Sequence, residues 1–268
     1  MRLIKGRVDS NVKPQAPGSR FDVRTPLAIA GVRGTSFGVA LVPGKGVVSD
    51  VTEGRVGFAP VRGAEQPLSA GQGAALAARG APVSVRPLPG APSLESDVLV
   101  ERFPLALAFP PVSGAAAYRV QLAEVAESSR VRIDQNVQRP AWNLAGIEDG
   151  EYILALRAID EAGLMGPQAR RKLRVKTRPV APLAQAPREG EVRAAGSVEL
   201  DCTEVQGAQA YTLELARSAD FAAPLATPEP QRACRWSVDA GQPGTYYWRV
   251  AAMAPSASGG LERGPFSG

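Results

Sequence analysis

Two cysteines, two acidic pairs and one dense basic run are the residues that could do chemistry in this 268-residue chain, which contains no histidine. Histidine is the commonest general base, proton shuttle and metal ligand near neutral pH, so its absence excludes Ser-His-Asp and Cys-His nucleophile systems. Cys202 and Cys234 are too few for a zinc site built from cysteine alone. They read either as a disulfide, if their strands are neighbours in an oxidising compartment, or as two buried thiols acting as small apolar residues. Glu148-Asp149 and Asp160-Glu161 fall at turns, where carboxylates are ordinarily just solvated. Gly44-Lys45-Gly46 precedes no helix and is therefore no phosphate loop. No Walker, Rossmann, metal or nucleophile-elbow pattern occurs. The expectation is a non-enzymatic chain with no catalytic residue, no cofactor and no metal.

Charge is mild: 31 Lys and Arg against 26 Asp and Glu give a net charge of +5. The densest basic stretch runs from Arg170 to Arg178. From Lys172 onward it alternates, with Leu173 and Val175 pointing inward, so it reads as the solvated face of one strand rather than a nucleic-acid or lipid patch. No nucleic-acid partner is expected. The first residues, Met1 to Arg7, lack an apolar core long enough for a signal peptide, and no transmembrane segment is visible.

The elements that would position such residues are short strands. There are 28 Gly and 24 Pro, much turn chemistry and no helical periodicity, which argues for an all-β protein. Phe21 and Val23, then Phe37, Val39 and Leu41, alternate with small or polar residues. Leu27–Val32 is apolar throughout, as expected of a strand buried on both sides. Arg33-Gly34-Thr35 interrupts the alternation: Gly34 permits backbone angles that a Cβ resists, Thr35 offers a hydroxyl and Arg33 a fork of donors. Val47–Thr52 and Arg55–Phe58 predict a hairpin across Glu53-Gly54, and a second hairpin-like pair flanks Ala70-Gly71-Gln72-Gly73.

Thr25-Pro26, Gly31-Val32-Arg33-Gly34-Thr35-Ser36-Phe37, Val51-Thr52-Glu53-Gly54-Arg55-Val56 and Leu68-Ser69-Ala70-Gly71-Gln72 together resemble the C-terminal part of a FecR domain, from about Ile4 to Val85. Arg33, Gly34, Thr35, Phe37, Glu53 and Gly54 are its signature positions. Arg33 and Glu53 are expected to set strand register, as an ion pair or through turn carbonyls, rather than to bind a partner. The segment is expected to be a β-sandwich or a short β-solenoid. A complete FecR domain has earlier strands, so the resemblance implies that Met1 is an internal start, an artificial boundary or the start of a truncated gene, with a lost export signal before it.

Ala81 to Leu94, with four prolines, predicts a semi-extended linker. Beyond it the chain repeats. Val112–Ala123 returns as Val205–Ala216 at an offset of 93, Trp142 returns as Trp236, and Gly150-Glu151-Tyr152 as Gly244-Thr245-Tyr246. Gly166-Pro167 answers to Gly264-Pro265. Two copies of one domain follow. They resemble fibronectin type III or immunoglobulin-like sandwiches, and that resemblance implies tyrosine corners at Tyr152 and Tyr246. The tryptophans are then expected in the core rather than on a sugar-binding surface. The copy-one equivalents of Cys202 and Cys234 are Phe109 and Pro140. Copy two is expected to lack its last strand and to leave a sheet edge unpaired.

The organisation expected is 1–86 FecR-like and N-terminally incomplete, 87–95 a Pro-rich linker, 96–178 a first sandwich and 179–268 a second. The FecR resemblance implies a periplasmic or cell-envelope location, and that export favours the Cys202–Cys234 disulfide. It further implies a non-enzymatic interaction or scaffold role with protein partners. Two other readings remain: a module binding peptidoglycan or envelope polysaccharide, favoured if Trp142, Trp236 or Trp248 is exposed, and the periplasmic part of a transmembrane regulator of iron uptake.

Overall fold

A computed structural model describes residues 1–12, 21–32, 34–94, 96–126, 130–256 and 259–268. Every named element is a strand. No helix is long and apolar enough to cross a membrane. By packing, the chain divides into two compact units: Met1–Val98 with Ala106–Asn143 and Glu151–Leu173, and Leu99–Leu105 with Leu144–Gly150 and Arg174–Gly268.

The FecR-like stretch carries β1 (Gly6–Val12), β2 (Phe21–Arg24), β3 (Ala28–Val32), β4 (Thr35–Val42), β5 (Gly46–Glu53), β6 (Arg55–Pro60), β7 (Gln66–Ser69), β8 (Gln72–Leu76) and β9 (Ser84–Pro87). They form two antiparallel sheets, β1-β4-β5-β8-β9 and β2-β3-β6-β7. Val23, Val32 and Phe58 from one sheet meet Val39, Val51 and Leu76 from the other in a shared core. The alternative left open by sequence thus resolves to a sandwich. Its chain nonetheless advances stepwise, one hairpin in one sheet and the next hairpin in the other.

That topology corrects two expectations. β5 and β6 do not pair across Glu53-Gly54: β5 pairs with β4 and β8, while β6 pairs with β3 and β7. Nor does β7 pair with β8 across Ala70-Gly71. Both turns are crossovers between sheets. Alternation along a strand reports which side faces the core, but says nothing of which neighbour supplies its hydrogen bonds. The linker expectation is corrected at its N-terminal part only, since residues 88–94 belong to no strand. Ser84–Pro87 is an edge strand on β8, a place where proline's missing N–H costs nothing. Arg33 and Lys13–Arg20 lie outside the described residues.

The first repeat carries β10 (Val98–Val100), β11 (Leu105–Ala108), β12 (Ala117–Glu124), β13 (Val131–Val137), β14 (Ala141–Leu144), β15 (Gly150–Ile159) and β16 (Ala169–Val175). Its sheets are β10-β16-β15-β12-β13 and β11-β14. Tyr118, Val120, Leu122, Leu154, Leu156 and Leu173 are buried, while Lys172 and Arg174 face solvent.

The second repeat carries β17 (Ala184–Ala186), β18 (Ser197–Cys202), β19 (Ala210–Ala216), β20 (Arg235–Asp239), β21 (Tyr247–Pro255) and β22 (Leu261–Phe266), in sheets β17-β18-β20 and β19-β21-β22. The expected missing last strand is a further correction. Leu261–Phe266 pairs along β21, with Met253 opposite Arg263 and Ala251 opposite Phe266. Gly264-Pro265 therefore lies inside a strand, whereas its copy-one counterpart precedes one.

The repeats share more than pattern. The Tyr118 hydroxyl accepts the Val112 N–H at 2.9 Å, and the Tyr211 hydroxyl accepts the Val205 N–H at 2.8 Å. The Phe109 N–H donates to the Pro140 carbonyl, as the Cys202 N–H donates to that of Cys234. Phe109, stacked edge-on against Tyr118 with ring centroids 4.9 Å apart, thus occupies the backbone site where the second repeat has sulfur.

Candidate functional site

The signature residues build a stack of corners. Gly34, Gly54 and Gly71 all have positive φ, and each stands where the chain passes from one sheet to the other. A Cβ on Gly54 would lie 2.7 Å from the Gly34 carbonyl, so these two corners touch backbone to backbone and leave no room for a side chain at Gly54, whereas Gly71 has open space and is suited to its corner by its positive φ. The Thr35 hydroxyl, buried, donates to the Arg55 carbonyl at 2.9 Å. The Ala70 N–H donates to the Gly54 carbonyl at 3.1 Å, and the Leu88 N–H to that of Gly71 at 2.9 Å. Glu53 accepts the Ser36 hydroxyl at 3.2 Å. Phe37 is buried in the core. The signature spaces the crossovers, and four of its six positions, Gly34, Thr35, Glu53 and Gly54, act at them. Arg33, expected to set strand register with Glu53 as an ion pair or through turn carbonyls, is outside the described residues.

A charged network that sequence reasoning missed lies elsewhere on the same sandwich. Asp50 on β5 has no solvent exposure, and Arg7 on β1 grips it through two bonds of 2.8 and 2.6 Å. Arg157 on β15 reaches Asp50 at 3.3 Å and Asp9 at 2.9 Å. Arg119 on β12 bridges Asp9 at 2.9 Å and Asp134 on β13 through bonds of 2.8 and 2.7 Å. Three arginines thus face three aspartates, all within the first unit.

Space for it comes from Gly38. A Cβ there would stand 2.0 Å from the Arg7 Nη2 and 2.7 Å from the Asp50 Oδ1, so the guanidinium lies flat over the bare backbone of β4. The available signal was a glycine in the middle of an apolar strand, which marks a close approach.

Electrostatics favour the ionised forms of Asp9, Arg7 and Asp134. Burial pushes the Asp9 carboxyl up, but Arg7, Arg157 and Arg119 outweigh it and hold it down at about 2. Burial likewise lowers the pKa of Arg7, and Asp50 and Asp9 together raise it further than that. The bonds from Arg119 hold Asp134 below the usual carboxylate range. Guanidinium groups do not release protons at accessible pH, so these groups are suited to fixing geometry, not to moving a proton. Among the described residues no group of three or more His, Cys, Asp or Glu could hold a metal ion.

Cys202 ends β18 and Cys234 immediately precedes its partner strand β20; the two are joined as a disulfide, with Cα atoms 5.3 Å apart. Tyr246 shares its hydroxyl proton between the carbonyls of Ala240 and Gln242, and accepts from Arg217, whose guanidinium also lies 3.8 Å over the ring. Tyr152 is buried opposite Glu124. Trp142 and Trp236 are buried and Trp248 packs against the second repeat's core, so no tryptophan forms an exposed platform.

The aspartate of each acid pair is not merely solvated, which corrects that expectation for Asp149 and Asp160. Asp149 accepts the N–H groups of Thr177 and Arg178 and the Thr177 hydroxyl, clasping the connector into the second repeat. Asp160 accepts the Leu164 N–H and pairs with Arg86 at 3.8 Å. The cue was sequence position: Asp149 and Asp160 sit at turns and accept backbone N–H groups there.

Residues 1–57 match the FecR protein family. The match covers about a fifth of the chain and includes the corners at Gly34 and Gly54, the Arg7–Asp50 pair and Gly38. No curated protein matches. Among solved structures, one described as an anti-sigma factor from Parabacteroides distasonis ATCC 8503 aligns at 22% identity and TM-score 0.29, covering 32% of this chain and 41% of that one. This chain therefore spans about two fifths of that structure. The FN1-FN3 domains of chicken CNTN1 align at 14% identity and TM-score 0.29, covering 96% of this chain and 97% of that one.

Proposed function

We propose that this chain is a non-enzymatic interaction protein with a FecR-type, regulator-like role, acting in the periplasm or cell envelope through protein partners. The observation that carries this reading is the FecR match over residues 1–57, in which Gly34, Thr35, Glu53 and Gly54 are spent on backbone corners rather than on a reactive site. The mutually paired Arg–Asp network supports a scaffold in the same way. A disulfide between Cys202 and Cys234 suits an oxidising compartment. The polysaccharide reading loses its motivating feature, because Trp142 and Trp236 are buried.

The test is photo-crosslinking in a bacterial periplasm, with a photoreactive residue replacing Glu53 at the corner stack or exposed Val131 on β13. Discrete adducts to an envelope protein, lost when Gly54→Val distorts the corners, support the proposal. Adducts to peptidoglycan alone, or turnover of a substrate by the purified chain, overturn it.

A further inference from the structure

We infer that the FecR-like sandwich and the first repeat are one folding body, in which the repeat permanently covers the outward face of β1, β4 and β5 and removes it from partner recognition. This goes beyond the proposed function and does not depend on it. A FecR-like segment followed by a proline-rich stretch and a repeat would ordinarily suggest separate modules on a tether. Four features of the first unit argue otherwise.

The first is apolar. Leu164 of the repeat has no exposure and packs with Ala40 and Val48 of the FecR-like sandwich, beside Val42, Ala75 and Leu88. The second is the buried charge. Asp50 draws on both bodies: Arg7 from its own sandwich, and Arg157 with the Met165 N–H, at 3.4 Å, from the repeat. A carboxylate with no exposure needs its partners, so separating the bodies would strip Asp50 and Asp9 of half their compensation.

The third is closeness of approach. A Cβ on Gly73 would stand 2.6 Å from a Leu164 methyl, one on Gly163 2.9 Å from a Val42 methyl, and one on Gly166 2.2 Å from the Pro89 carbonyl. Three glycines without room for a methyl mark a closely interlocked joint. Lys45 completes it, donating from Nζ to the Glu161 carbonyl at 2.5 Å. The fourth is recurrence. In the second unit a Cβ on Gly264 would stand 2.0 Å from the Pro179 carbonyl. Gly166 and Gly264 are the repeat-equivalent glycines, so each repeat seats a proline carbonyl of its own preceding connector in the same notch.

One consequence concerns recognition. With the β1-β4-β5 face covered, a partner of the FecR-like part is left the β2-β3-β6-β7 sheet, the corner stack and the strand edges. Any displacement imposed there reaches the repeat as a rigid-body movement.

Native-state hydrogen exchange on the whole chain tests this. The reporters are the amides of Val39 and Val48 in the FecR-like sandwich and of Val120 and Leu156 in the repeat, all almost fully buried. One body predicts a common denaturant dependence for all four. It also predicts that Arg157→Ala lowers protection of Val39 and Val48 as much as that of Val120, by about tenfold or more. Loss of protection confined to the repeat, or a separate, earlier opening of the FecR-like strands in the unaltered chain, overturns the inference. Should Arg157→Ala fail to fold, Arg119→Ala at the edge of the network is read in the same way, and the unaltered chain decides alone.

Discussion

Replacing Gly38 by alanine isolates the charged network, because the competing effects differ in sign. Alanine in a strand interior normally stabilises relative to glycine by about 0.5–1 kcal/mol, through the unfolded chain. Here the new methyl would fall 2.0 Å from the Arg7 Nη2 and 2.7 Å from the Asp50 Oδ1. The guanidinium is the end of a flexible side chain and can move, but moving it breaks both bonds to a carboxylate that has no exposure. Removing one partner of such a pair costs about 3–5 kcal/mol. Arg157, at 3.3 Å, and the Met165 N–H stay in place and offset part of that. Allowing also for the backbone gain, the net loss is about 2–3 kcal/mol, or a Tm fall of roughly 5–10 °C for a body of this size. Urea melts followed by circular dichroism, with calorimetry for Tm, give the answer. An unchanged or raised Tm would refute the reasoning, since it would mean that Arg7 contributes nothing where it lies. Asp50→Asn added to Gly38→Ala should recover part of the loss, because a displaced guanidinium then leaves no buried charge behind.

Acid should weaken the first unit through Asp9. Its folded pKa, about 2, lies below the ordinary 3.8, so its contribution is fully present above pH 4 and is lost as pH falls from about 4 towards 2. Asp9→Asn should flatten the urea midpoint against pH across that window, and an unaltered slope would count against the pairing. Reducing the Cys202–Cys234 bond, which spans 32 residues, should destabilise the second unit by about 3–4 kcal/mol; equal melts with and without reductant would show that the bond contributes nothing. Tyr118→Phe and Tyr211→Phe should each cost about 1–2 kcal/mol by stranding the Val112 and Val205 N–H groups. A large difference between the two would show that the repeats do not use the tie alike. Thr35→Val keeps the volume at the corner but leaves the Arg55 carbonyl without its donor, and a loss of about 1 kcal/mol by the same melts is expected.

Much of this protein was decided locally and so is legible in the sequence. Strand positions follow from period-two burial: Tyr118, Val120 and Leu122 are all buried, because alternation forces every second side chain to one face. The internal repeat was legible because both copies solve the same packing problem with the same residue types at Tyr118 and Tyr211. The corner glycines announced themselves because positive φ is a property of one residue and its immediate neighbours. What only the tertiary structure decided is pairing across distance. The alternation on either side of Glu53-Gly54 is that of a hairpin, yet the two strands enter different sheets, since period two records which face is buried and not which strand lies alongside. Arg7, Asp50 and Arg157 look in sequence like three ordinary surface charges. They become a buried network only because β1, β5 and β15 converge on one place, and the energy of an ion pair depends on a distance and a local dielectric that no spacing along the chain encodes.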